Sequence, residues 1–180
     1  MTARPRPTWP DAPVLETERL RLRLPAPEDF AGYARFYGDA AAARFYGGPL
    51  RPDQAHGVLC RDIGHWLLRG HGKFAVTAGG RLIGGCGIVH PEGWPSHELT
   101  WWLMPEARGR GYALEASRAV LAWAARVLEW AEVETHFLDA NEPARRLTLA
   151  LGGRFVRRAA FPDGQTRDVF AIPATAEVAA

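Results

Sequence analysis

The strongest constraint on this chain is one glycine-rich stretch, Leu103-Met104-Pro105-Glu106-Ala107-Arg108-Gly109-Arg110-Gly111-Tyr112-Ala113. It lies between a strand pattern and a long helical pattern. Gly109 and Gly111 let a backbone pass close to a ligand, and successive N–H groups at a helix N-terminus attract an anion. Arg108 and Arg110 add charge that a pyrophosphate would favour. No Gly-Lys-Ser/Thr follows, so the stretch is not a Walker loop. Leu114 stands where a dinucleotide fingerprint would have its third glycine, and no βαβ repeat follows. The Gly-x-Gly alone also fits an ordinary turn. A second cluster, Gly84, Gly85 and Gly87, falls inside a strand pattern and reads as tight packing or a bulge.

Periodicity orders the rest of the chain. Leu20, Leu22 and Leu24 alternate with Arg19, Arg21 and Arg23, the two-residue repeat of a half-buried strand. Pro27, Glu28 and Asp29 open a helix to about Tyr37, and Pro52 and Asp53 open a second that Gly70 and Gly72 close. Phe74–Thr77 and Leu82–Val89 form a hairpin, and a strand follows from about His97 to Leu103. The pattern predicts a helix from Tyr112 to about Leu128, a strand over Val133–Leu138 and a helix over Pro143–Leu151. Phe155–Ala160 and Asp168–Ile172 make a last hairpin about Pro162-Asp163-Gly164. Three successive strands followed by helical crossovers give an α+β class, with a mixed sheet of about seven strands and helices on both faces. A Pro-rich arm over 1–13, a domain over 14–173 and a tail over 174–180 complete the expected organisation.

Composition excludes several function classes. The chain has 180 residues, the length of one domain, and 47% hydrophobic with 23% charged residues is the balance of a globular protein. Its 22 basic residues barely exceed its 20 acidic ones, and Lys73 is the sole lysine. The arginines are interspersed with acids rather than gathered in a stripe, which argues against nucleic acid as a partner. Cys60 and Cys86 form no CxxC and suit a reducing cytoplasm. The N-terminus lacks the apolar core of a secretory signal, and no apolar run is long enough to span a membrane. His56 and Cys60, four apart on a helix, have no second ligand pair, so no metal is expected. Ser96 and Ser117 have no His/Asp framing for a hydrolase. The tryptophan content leaves room for a homodimer.

The ordered motifs carry a resemblance to the GNAT N-acetyltransferases, and within them to the RimJ/RimL-like branch. Arg108-Gly109-Arg110-Gly111-Tyr112-Ala113 resembles the family's R/Q-x-x-G-x-G/A pyrophosphate loop, with its basic residue one place closer and Ala107 at the outer position. Leu15–Arg23 resembles the branch's opening strand, and Arg44-Phe45-Tyr46-Gly47-Gly48 the turn between its first helices. Glu98–Glu106 parallels its E-I-G-Y-W-L-x-P-E strand, Gly109–Ala116 its G-x-G-Y-A-x-E-A run, and Asn141–Gly152 its N-x-x-S-x-R-x-L-x-x-L-G run.

The resemblance implies direct acetyl transfer from acetyl-CoA to an amine, either a peptide N-terminus or an amine-bearing small molecule. It assigns Leu103, Met104, Arg108, Gly109, Arg110, Gly111, Tyr112, Ala113 and Asn141 to the cosubstrate, with an oxyanion donor among the main-chain N–H groups near Leu103 or Met104. Glu98 falls at the strand's glutamate and is the base candidate. His97 is a rival that strand alternation points the other way. Phe45, Tyr46, Trp101 and Trp102 are acceptor-groove candidates. Asn141 also fits a helix N-cap. Ala144 stands where the family often has a serine facing the CoA sulfur, and no tyrosine of that helix replaces it. A catalytically weak acyl-CoA-binding or regulatory domain is the alternative, and a different nucleotide or phosphate binder a further one.

Overall fold

A computed structural model describes residues 13–175. The Pro-rich arm, apart from Pro13, and the tail beyond Thr175 lie outside the described residues. In chain order the elements are β1 (Leu15–Glu16), β2 (Arg21–Arg23), α1 (Phe30–Gly38), α2 (Pro52–Arg69), β3 (Lys73–Ala78), β4 (Arg81–Val89), β5 (Glu98–Leu103), α3 (Tyr112–Trp123), β6 (Glu132–Phe137), α4 (Glu142–Ala150), β7 (Arg154–Ala160) and β8 (Thr166–Pro173). They build one sheet in the order β1-β2-β3-β4-β5-β6-β8-β7. The expected α+β architecture holds. The eighth strand is β1, a two-residue piece too short to show a period.

Two apolar clusters hold the layers together. Leu22, Phe74, Ile88 and Leu99 from the sheet meet Val120 and Trp123 of α3 and Trp66 of α2. On the other side Trp102 of β5 is buried among Tyr33, Phe36 and Tyr37 of α1. The close packing read from the strand glycines is present here: a Cβ on Gly85 would lie 2.5 Å from the Trp102 indole nitrogen. Burying rings of this size contributes roughly 2–3 kcal/mol each by area alone.

The sheet is antiparallel apart from β5 and β6, which are parallel and share a single register pair, Glu98↔Glu134. Beyond that pair the two strands diverge, and the cleft opens between them. Pairing on the other side of β5 fixes what faces the cleft. Met104 N–H donates to Ile83 O at 2.9 Å, so the ladder to β4 uses the even-numbered residues of β5. The peptide groups of Leu99, Trp101 and Leu103 therefore point toward β6. The Leu99 carbonyl is met there by the Thr135 hydroxyl at 2.9 Å.

Candidate active site

Two adjoining cavities occupy the cleft. The larger, about 580 Å³, lies against the head of α3 and is lined by Leu103, Arg108, Gly109, Gly111, Tyr112 and Ala113, with Asn141 and Ala144 of α4 opposite. The narrower, about 180 Å³, holds Glu98, Thr100, Thr135 and His136 under Trp94 and Arg167. Phe45, Tyr46, Trp101, Asn141 and Ala144 line both cavities and so mark their junction. Past Trp94 and Thr100 the narrow cavity meets a third, about 660 Å³, beside α2.

The head of α3 is shaped by its glycines. Gly109 and Gly111 have φ of 74° and 79°, and Gly111 is the N-cap residue. No side chain caps this end, so the first amides of the helix have no intrahelical partner and face the larger cavity. The opening strand region braces this turn. Glu115 accepts from Thr17 Oγ1 at 2.5 Å, from Arg19 N at 3.0 Å and from Arg19 Nε at 2.7 Å, while Arg19 Nη1 donates to Arg110 O at 3.0 Å. Burial works against ionisation of Glu115, but the hydrogen bonds from Thr17 and Arg19 outweigh it and hold the carboxyl below its ordinary value. The guanidinium of Arg19 also lies 4.8 Å from the Tyr112 ring. Two motifs far apart in sequence are thus one structural unit.

Seven of the nine residues expected at the cosubstrate line the larger cavity, and two stand elsewhere. Met104 is buried at 2% exposure, and its N–H is committed to Ile83. Of the two donors named from sequence, Leu103 N–H is therefore the one that points into the cleft. The Arg110 side chain is exposed and lies off the cavity wall. Arg108 is in the wall, bridging Leu103 O at 3.1 Å and Ala42 O at 3.2 Å. Arg44 and Arg146, which sequence reasoning passed over, line the same cavity. Asn141 caps α4, its Oδ1 accepting from Ala144 N at 3.3 Å.

The acceptor-side residues divide too. Phe45, Tyr46 and Trp101 stand at the junction, whereas Trp102 is 1% exposed in the α1 core. Burial pushes the Tyr46 phenol up to about 12, helped by Tyr37 and Glu98 and opposed by Arg108, so it stays protonated as a hydrogen-bond donor. Like Ala144 it lines both cavities, and Ala144 has no hydroxyl to offer there.

Glu98 lies in the narrow cavity. His97 points away, into a cluster with His71, His90 and Trp130. The residue that joins Glu98 is His136 of β6, whose Nε2 is 3.0 Å from Glu98 Oε2. That contact is short but off the donor axis, and neither ring nitrogen makes a hydrogen bond. The ring packs against Trp94, stacked at 5.2 Å and 16°, and Phe161 at 4.1 Å, which also touch each other. Sequence reasoning missed His136 because a lone histidine in an apolar strand carries no pattern. Among the described residues no group of three or more His, Cys, Asp or Glu could hold a metal, and no helix is long and apolar enough to cross a membrane.

Comparison with known proteins agrees with this geometry. Residues 19–154 match the family described as the acetyltransferase (GNAT) domain. An acetyltransferase from Agrobacterium tumefaciens is 31% identical, with a TM-score of 0.82 over 93% of this chain and 98% of its own. MccE, a microcin self-immunity acetyltransferase solved in complex with acetyl-CoA and AMP, shares the fold at 9% identity, with a TM-score of 0.73 over 87% of this chain and 93% of its own. RimL, a ribosomal alpha-N-protein acetyltransferase, shares it at 11% identity, with a TM-score of 0.74 over 90% and 94%.

Proposed function

The chain belongs to the GNAT acetyltransferase family, and from that premise we propose that it transfers an acetyl group directly from acetyl-CoA to a primary amine. The observation that carries this reading is the junction of two cavities, one headed by uncapped helix amides and the other by a carboxylate. The residues present suit acetyl-CoA. Free amides at the head of α3 and the left-handed glycines beside them form a cradle for a pyrophosphate, and Arg44, Arg108 and Arg146 supply positive charge around it. Acetyl-CoA supplies the activated acyl group as a thioester.

The chain's own groups do the remaining work. Leu103 N–H, free of the ladder to β4, is the donor to the carbonyl oxygen as negative charge builds there. An alkyl ammonium has a pKa near that of lysine, about 10.4, so it must lose a proton before it can attack. Glu98 is the base that accepts it, directly or through water. Tyr46, protonated throughout the working pH range, donates a hydrogen bond at the junction where the sulfur leaves.

The acceptor in this reading is a protein N-terminus of the RimJ/RimL-like kind or a small-molecule amine. Support comes from the branch-like segments Leu15–Arg23 and Gly109–Ala116, which clasp each other through Thr17, Arg19 and Glu115. The narrow aromatic slot suits an unbranched amine. Thiol release from acetyl-CoA that depends on added amine tests the activity. Release with no amine dependence would instead favour an acyl-CoA-binding domain. Calorimetry with CoA, ATP and NAD tests the cosubstrate; binding of CoA alone is expected, and equal binding of the other two would refute it.

A further inference from the structure

His136 is the most anomalous polar group in the cleft. Its side chain is 8% exposed, yet both ring nitrogens are buried without a hydrogen-bond partner. A buried polar group left so costs roughly 1–3 kcal/mol, so a purely structural position would favour an apolar ring. The surroundings make this plainer. Trp94, stacked at 5.2 Å and 16°, and Phe161, at 4.1 Å, pack against the imidazole and against each other, an aromatic setting that calls for no ring nitrogen. What the imidazole adds is a nitrogen 3.0 Å from the Glu98 carboxylate, on the wall of the narrow cavity.

Resting on the acyl-transfer reading above, we infer that His136 acts through Glu98 as a positioning and relay residue, the two forming a proton acceptor with room for two protons. The stoichiometry makes use of that capacity. An ammonium R–NH3+ becomes an amide N–H, so nitrogen loses two protons while one N–C bond forms and one C–S bond breaks. The bonding pair of C–S goes to sulfur. One proton ends on that sulfur and the other reaches solvent. A single carboxylate holds one proton at a time. With His136 adjacent, the first proton passes from Glu98 to Nε2, which leaves a carboxylate–imidazolium pair and a carboxylate able to accept the second. Apo geometry that is close but misaligned is common for groups that align only when substrate is bound.

The other charged groups around the ring already have partners. Glu134, two residues earlier on β6, is held by Ser96 and by Arg157 at 2.5 and 2.8 Å. Arg167 of β8, over Phe161 and Trp94, is paired with Asp163. Glu98 of β5 is the carboxylate in contact with the ring.

The test compares pH–rate profiles of kcat/KM for the wild type, His136→Gln, His136→Phe and Glu98→Gln, with acetyl-CoA and a short seryl peptide. Thermal midpoints of each variant report folding. Both His136 variants are expected to lose about 10- to 100-fold in kcat, with acetyl-CoA affinity changed less than about twofold. The acid limb should fall from a two-proton to a one-proton slope, and His136→Gln should cost little more once Glu98→Gln is present. Wild-type turnover in His136→Phe, or a two-proton limb persisting in His136→Gln, would overturn the inference. If the His136 variants do not fold, 15N-histidine NMR decides: the His136 ring-nitrogen signals should move between wild type and Glu98→Gln at fixed pH, and unmoved signals refute the pair. A wild type that releases no thiol with amine fails the function reading instead, and the NMR coupling still tests the pair independently.

Discussion

Acidification should destabilise this protein through His71. The residue is buried at 5% exposure where α2 hands over to β3, and its Nδ1–H donates to Ile88 O at 2.9 Å. Its own carbonyl is met by His65 Nδ1 at 2.6 Å, while His65 Nε2 accepts from His90 N–H at 2.9 Å. The His97 ring is 5.3 Å away and Trp130 5.2 Å. Burial is the main force lowering the His71 pKa to about 4; the Ile88 carbonyl opposes it, and the neighbouring imidazoles of His65, His97 and His90 add to it. His97 is lowered as well, chiefly by burial.

The sign follows from proton counting. Between the unfolded value of 6.5 and about 4 the unfolded chain binds a proton that the native chain refuses. Stability is therefore complete above pH 6.5, falls as pH drops through that window, and levels off below pH 4. At 1.36 kcal/mol per unit the full effect is roughly 3 kcal/mol, with about 2.5 kcal/mol of it gone by pH 4.5. That is a large part of a typical domain stability of about 5–15 kcal/mol. Urea titrations at pH 7, 5.5 and 4.5 on the wild type and His71→Asn measure it. The asparagine amide donates from nearly the place of Nδ1 but does not titrate. The variant carries a constant loss from its smaller side chain, and its curve should fall more gently by about 2.5 kcal/mol between pH 7 and 4.5. Glu115 and Asp163, whose carboxyl pKa values are lowered, destabilise both proteins equally at the acid end and cancel in the comparison. Parallel stability curves would refute the reasoning.

Two further predictions concern the head of α3. Gly111→Trp should abolish CoA binding in calorimetry, because φ of 79° there is strained for an L side chain and the indole would fill the cradle; retained affinity would move the pyrophosphate elsewhere. Glu115→Gln removes the charge that Thr17 and Arg19 clasp, so CoA affinity should weaken about 3- to 30-fold with a thermal midpoint lowered by a few degrees, the pattern of losing a charge-assisted hydrogen bond of roughly 1–2 kcal/mol. A change in the midpoint with unaltered affinity would confine Glu115 to stability.

The periodic parts of the chain were legible because they obey local rules. The alternating leucines marked β2, the paired prolines and acids marked the starts of α1 and α2, and the glycines of the β3–β4 turn marked a hairpin. The α3 pattern, read as one helix to Leu128, leaves regular α geometry after Trp123 for a π turn over Ala124–Leu128, a change of winding that apolar spacing does not encode. Alternation puts Trp102 on the face of Glu98 and Thr100, but it does not show that α1 covers that end of the face while Trp101, on the other face, reaches the junction. Trp102 therefore looked as good an acceptor residue as Trp101, and Met104 as good a donor as Leu103. His136 was hidden for a different reason: its partner Glu98 is on another strand, and only the short β5–β6 pairing brings them together.

That short pairing explains why the site is where it is. A sheet satisfies its backbone groups by pairing them, and buried N–H and C=O groups left unpaired are costly. Where β6 leaves β5, the N–H groups of Trp101 and Leu103 lose the neighbour they would otherwise have bonded, while Arg108 takes up the Leu103 carbonyl. At the same end, the left-handed Gly111 starts α3 without a side-chain cap, and its first amides stay free. In the wall of the narrow cavity neither buried nitrogen of His136 makes an aligned hydrogen bond, although Nε2 lies 3.0 Å from Glu98. Three kinds of unmade hydrogen bond converge on one cleft, and in the proposed reaction each suits a different part: an anion at the helix head, a developing oxyanion beside β5, and protons leaving an amine beside Glu98. A chain selected for stability alone would close each of them with a cap, a longer strand pair or a phenylalanine. Substrate binding is what makes them complementary, so ligand-free protein should be measurably less stable than protein saturated with acetyl-CoA, by about 2.7 kcal/mol at a hundredfold excess over Kd.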